Sequence, residues 1–180
     1  MVDLRKFYDG RLFLCIIVAA AIVDTAGLFV WRYTSEPDAP ITKWYDQYTT
    51  VAYVLDVSSI VIGMVLAQLI TATVGGQWNL IAFLIVVVTV QMTHDLFFSQ
   101  VVVPMIPPGR NSIIDLMVEY STMKGAGWVL VVDAIYMILT ALVSGFLYSY
   151  PVYVSWFAGL FTLYTTGYIL YTHPSNSISK

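Results

Sequence analysis

The chain has 180 residues, of which 59% are hydrophobic and only 11% charged, and its formal net charge is −3. Soluble domains carry roughly 25% charged residues, so this chain lacks the polar side chains to cover a water-facing surface. The acidic balance and the absence of any basic patch exclude nucleic acid as a partner.

Apolar runs of the length that a bilayer demands, about 20 residues, recur along the chain. They predict five spans at roughly Leu12–Tyr33, Thr49–Val74, Leu80–Val103, Gly127–Tyr148 and Val152–Tyr171. Helices are expected, because lipid offers a backbone no outside hydrogen-bond partner and nothing here alternates as a barrel strand would. The fold class is therefore all-α: a polytopic transmembrane bundle forming one membrane domain over residues 1–180. The first run follows Arg5, Lys6 and Arg11 but extends to Trp31. That is too long for the apolar core of a signal peptide, so it is read as a retained span. Cys15 stands alone in this run, which leaves no cysteine to pair with it.

Spans two and three are joined by a tight turn, Gly75-Gly76-Gln77-Trp78-Asn79, and spans four and five by Ser149-Tyr150-Pro151. The long connections fall on the opposite side, here called side B. Thr34–Tyr48 reads as a polar loop with Pro37, Asp38 and Pro40. Pro104–Ala126 contains its own structure: Pro104, Pro107, Pro108 and Gly109 break the helix, and Ser112 then caps a short helix over residues 112–124, with Asp115 in the capping-box position. Ile113, Leu116, Met117 and Tyr120 share one face of it, which fits a helix lying in the membrane interface or a lid packed over the bundle. Trp31, Tyr33, Trp44, Tyr45, Tyr48, Trp78, Trp128, Tyr148 and Tyr150 sit near predicted span ends, as an aromatic belt does.

Arg5, Lys6 and Arg11 flank the first span on side A, whereas Arg32, Lys43, Arg110, Lys124 and Lys180 belong to side B. The first span usually dominates orientation, so the N-terminus is expected on the cytoplasmic side.

The chemistry-bearing residues are four aspartates. Asp24 lies late in span one, Asp56 early in span two, Asp95 late in span three and Asp133 early in span four. Because successive helices run in opposite directions, these positions share one depth, on the order of 11 Å from the side-B surface at 1.5 Å per residue. Asp133, Tyr136, Thr140 and Ser144 recur at helical spacing, as do Gln91, Asp95 and Ser99, with His94 alongside. Tyr53, Asp56, Ser59 and Gly63 share a face of span two. Ala20, Asp24 and Gly27 form a small-residue face on span one, and Ser155, Gly159, Thr162 and Thr166 a stripe on span five. Such faces suit close packing of helices, within the chain or in a homo- or hetero-oligomer. A carboxylate in hydrocarbon costs roughly 2.5–3.5 kcal/mol, so these faces should turn inward. No Lys or Arg lies within the core of any span, so Arg32, Arg110 or Lys124 would have to reach down as counter-ions.

Three readings of this layer stay open. Asp24, Asp56, Asp95 and Asp133 could hold a divalent cation or relay protons, with Tyr53, Ser59, Gln91, Ser99, Tyr136 and Thr140 as polar lining. His94 and Asp95 could be acid and base of a membrane-embedded enzyme acting on lipid. The layer could also lock helices together in a structural subunit of a membrane complex or virion membrane. No His-x-x-x-His pair, Ser/His/Asp arrangement, phosphate loop or intramembrane lysine is present, so no cofactor is assigned.

The segments Ile22-Val23-Asp24, Thr93-His94-Asp95-Leu96 and Val132-Asp133-Ala134-Ile135-Tyr136 resemble an uncharacterised family of small bacterial membrane proteins that carry one Asp in several spans. Related proteins are encoded by large DNA viruses, and the Asn111–Gly127 loop is more similar to those. Gly27 and Tyr136 stand where the bacterial pattern favours Trp, and the fifth span is an addition. The resemblance implies a shared fold and acidic layer, and no activity.

Overall fold

The computed structural model describes residues 2–123 and 125–173, and every regular element among them is helical. Lys124 and Lys180, assigned above to side B, lie outside the described residues. Helix α1 spans Gly10–Thr34, α2 Pro40–Val74 and α3 Leu80–Phe97. A π-helical turn, Phe98–Val102, and a short turn α4, Val103–Met105, continue α3. Then come α5 (Ser112–Thr122), α6 (Gly127–Tyr148) and α7 (Val152–Leu170). Four helices are long and apolar enough to cross a membrane: Gly10–Thr34, Pro40–Val74, Leu80–Met105 and Gly127–Tyr148. The chain thus has the helices of a multi-pass integral membrane protein. The fifth expected span coincides with α7, which is not among those four.

Helix α1 is the central one, packing against α2, α6 and α7. Its small residues make this possible: Ala19 and Ala20 are fully buried and Ala21 nearly so. The stripe expected on the last helix is the face it turns to α1. Ser155, Thr162 and Thr166 are buried, Gly159 meets Val18, and Thr25 bonds Thr166 hydroxyl to hydroxyl at 2.7 Å. At side A the apolar core closes on Leu12, Ile16, Met64, Phe83, Val87 and Met137, with Leu4 inserted from the N-terminal segment. Gln68 Nε2 donates to the Leu4 carbonyl at 2.6 Å and holds that segment in place.

Two connections differ from expectation. Residues 40–48 are helical, where a loop was expected. Pro40 occupies the first turn, a position that needs no donated N–H. The piece is separated from the rest of α2 by Thr49, whose φ of 45° and ψ of −116° break the helical path. Trp44 and Tyr45, expected in an aromatic belt, are buried instead. The cap of α5 is Asn111, not Ser112. Its extended backbone lets the side chain accept from the N–H groups of Ile113 and Ile114. Asp115 turns away from a capping box and accepts from the Gly109 N–H at 3.0 Å, closing the loop behind the helix. Helix α5 ends at Thr122. Its face of Ile113, Leu116, Met117 and Tyr120 packs inward against the cluster of Trp44, Tyr45, Leu28 and Leu170, as a lid does.

Candidate functional site

Beneath α5, at the side-B end, the helices do not close. A cavity of about 540 Å³ remains, and Asp24, Asp56, Asp95 and Asp133 all line it. Each carboxylate arrives from a different helix, and each replaces an apolar side chain that would otherwise fill the centre. Ser59, Gln91, His94, Ser99 and Tyr136 share the wall. Tyr53 and Thr140, named with them from helical spacing, are buried elsewhere. The Tyr53 hydroxyl donates to the Ala21 carbonyl at 3.3 Å and meets Thr25 at 3.1 Å, and Thr140 Oγ1 has no partner within the chain.

Three of the four acids show how differently they are held. Asp56 Oδ2 accepts from both Trp44 Nε1 and the Tyr45 hydroxyl, each at 2.9 Å. The helical piece before Thr49 is what brings these two donors over the carboxylate. Asp95 Oδ1 accepts from Gln91 Nε2 at 2.8 Å, one helical turn away, and lies 3.1 Å from His94 Nδ1. Its second oxygen is buried without a partner. Asp24 is the most enclosed, at 2% exposure, and its Oδ2 has no hydrogen-bond partner. A buried polar group left unpaired costs about 1–3 kcal/mol, more when charged. Asp24 and Asp95 therefore each carry a buried oxygen whose demand is unmet among the described residues.

Above Asp24, one turn along α1, Gly27 receives the Tyr136 phenol. A Cβ on Gly27 would lie 1.5 Å from the Tyr136 hydroxyl, so only glycine admits the ring. Trp31 Nε1 donates to that hydroxyl at 3.2 Å and fixes it in place.

Of the expected counter-ions, Arg32 and Arg110 do not reach the acids. Arg32 is buried, but its guanidinium donates to Asp46 Oδ1 at 2.5 Å and to the Leu170 carbonyl at 2.6 Å. It ties α1 to the start of α2 and the end of α7. Arg110 is exposed, and Lys124 lies outside the described residues. Among the described residues, no Lys or Arg lines the cavity. No three His, Cys, Asp or Glu side chains among them come close enough to hold a metal ion as a group.

Much of the remaining wall is aromatic. Trp31, Trp44, Tyr45, Tyr120 and Trp128 all contribute to it. Sequence position placed all but Tyr120 of these at span ends. The signal for their inward role was Pro40, which opens a helix three residues before Lys43-Trp44-Tyr45. Tyr120 Oη is buried without a partner. Burial, and then the negative charges of Asp56, Asp133 and Glu119, push this phenol far above its ordinary range. It stays protonated.

No known protein family, curated protein or solved structure matches the chain.

Proposed function

We propose that the chain is a five-span membrane protein whose side-B cavity binds a cation or relays protons through Asp24, Asp56, Asp95 and Asp133. The observation that carries the reading is the convergence of four carboxylates from four helices on one cavity, with Asp24 Oδ2 buried and unpaired there. A layer serving only to lock helices together would pair each acid and leave no space. Asp56 meets that description, and Asp24 does not. The fifth span is α7: Tyr153, Trp156, Phe157, Leu160, Phe161 and Tyr164 point outward, a face suited to lipid. Helix α5 caps the cavity at the membrane surface, and the N-terminus faces the cytoplasm. The family kinship proposed here rests on the Asp-bearing segments alone.

A second reading has one specific support. His94 Nδ1 and Asp95 Oδ1 sit 3.1 Å apart on the wall of a cavity that is largely apolar, an arrangement usable for acid–base chemistry on a lipid.

Three tryptophans in the cavity wall, Trp31, Trp44 and Trp128, provide the test. Their emission in the purified full chain is followed during titration with Ca²⁺, with tetraphenylphosphonium and with acid. The expected result is a saturable change with at least one of these that Asp24→Asn suppresses. No response to any of them would overturn the cation and proton readings together.

A further inference from the structure

We infer that the ligand of this cavity is an organic cation, an ammonium or phosphonium centre carrying apolar groups, with Asp24 as its counter-ion. The inference rests on the cation-binding reading of the same cavity and names the class of cation.

Size comes first. A volume of about 540 Å³ falls within the roughly 300–1,000 Å³ of small-molecule sites. A bare metal ion needs far less space and a tighter cage. Ca²⁺ takes six to eight oxygens at about 2.3–2.6 Å. Although four carboxylates share this cavity, no three ligand-type side chains among the described residues are grouped closely enough to hold a metal. Charge is thus spread over the wall, which suits a diffuse cation.

The nature of the wall follows. Trp31, Trp44, Tyr45, Tyr120, Trp128 and Tyr136 bring aromatic surface around the acids, and among the described residues no Lys or Arg lines the cavity. Aromatic faces attract cations by about 0.5–1 kcal/mol when exposed and about 2 kcal/mol when desolvated, and they are the usual recognition surface for quaternary ammonium. They also bury the apolar substituents that such a cation carries.

Finally, the acids of the wall are not all occupied. Asp56 is occupied by Trp44 and Tyr45, and one oxygen of Asp95 by Gln91 and His94. Asp24, 2% exposed, lines the cavity, and its Oδ2 is buried with no hydrogen-bond partner among the described residues. It lies one helical turn from Gly27, where the Tyr136 ring is seated. Tyr136 and Asp24 both line the cavity, so a cation bound there meets an aromatic ring and a carboxylate from the same wall.

The experiment measures equilibrium binding of radiolabelled tetraphenylphosphonium to the full chain in lipid nanodiscs, beside the neutral triphenylphosphine oxide and radiolabelled Ca²⁺. The expected result is saturable binding of the phosphonium, with the neutral compound at least about tenfold weaker, a single power of ten in Kd. Asp24→Asn should weaken phosphonium binding by about thirtyfold, as expected for loss of a buried charge partner. Trp31→Leu, which keeps every acid, should weaken it by about fivefold through loss of one aromatic face. The wild-type comparison of charged and neutral probes needs no variant to fold. Equal binding of the two, or Ca²⁺ binding or proton response without phosphonium binding, would overturn the organic-cation inference and leave the acidic site standing. Silence towards every cation and towards acid would overturn both.

Discussion

The two ends of the bundle are made of the same helices and solve opposite problems. At side A the helices close. Leu4 plugs the core, Gln68 holds it, Arg5 donates to the Gly76 carbonyl at 2.9 Å and lies over Trp78, and Arg11 donates to the Tyr148 and Tyr150 carbonyls. Every loop there is stitched by a cation to a backbone oxygen. At side B the helices stand apart around carboxylates, the Thr49 break and the π-helical turn after α3 interrupt regular hydrogen bonding, and buried polar atoms go unpaired. Irregular backbone and unmet polar demand in the same place are the usual marks of a working site, whereas dense apolar closure marks a foundation.

The comparison breaks if side chains of similar size matter equally at both ends. Phe83→Ala, in the closed core, should cost roughly 3 kcal/mol, the low end for a large core truncation because lipid replaces water as the surroundings of the unpacked helix. Met117→Ala, on the cavity wall, should cost less than about 1 kcal/mol, since it enlarges a space that already exists. Both are read from reversible unfolding in mixed micelles. Comparable losses would mean that the cavity end is as tightly packed as the core.

A smaller effect sharpens the boundary between the two regions. Gly27→Ala should destabilise by about 1–3 kcal/mol, the range for overpacking, because the new methyl group strikes the Tyr136 phenol. Combining it with Tyr136→Ala should recover most of that loss, a non-additivity that a double-mutant cycle measures.

The smallest effect belongs to side A. Asp9 caps α1, accepting from the Arg11 and Leu12 N–H groups, and it receives a hydrogen bond from the Tyr148 hydroxyl at 2.6 Å. That phenol, chiefly, holds the Asp9 carboxyl below its usual value. A depressed carboxyl stabilises fully above its unfolded pKa of about 3.9 and loses that contribution as pH falls through the folded value. Asp9→Ala should therefore cost about 1 kcal/mol at neutral pH, and the gap from wild type should narrow on acidification below that range. A gap independent of pH would mean that the cap acts without its charge.

Much of this was legible before any coordinates. Apolar run length gave the five long helices to within a few residues except at the start of α2, because hydrophobic length is the dominant constraint in a membrane. Alternating helix direction led to the expectation of one depth for the four aspartates, and all four line one cavity. What escaped was set by short-range geometry and by partners distant in sequence. Trp44 and Tyr45 looked like belt residues because nothing nearby in sequence shows that α2 bends at Thr49 and returns them to Asp56. Tyr53 shares a helical face with Asp56, yet it meets Thr25 and the Ala21 carbonyl, a choice made by the rotation of α1. Arg32 looked available to the acids until Asp46 and the end of α7 claimed it.

The central position of α1 also has a consequence in time. Asp24 needs α6 to complete its surroundings, and α6 begins only at Gly127, 103 residues further along the chain (127 − 24 = 103). At synthesis rates of about 5–20 residues per second, that separation is on the order of 5–20 seconds. Throughout that interval the most enclosed carboxyl of the finished protein belongs to a helix without its principal neighbours. The Ala-rich flank around it is a poor surface for holding lipid and a good one for receiving helices. The chain thus begins its assembly with the helix that has most to gain from waiting.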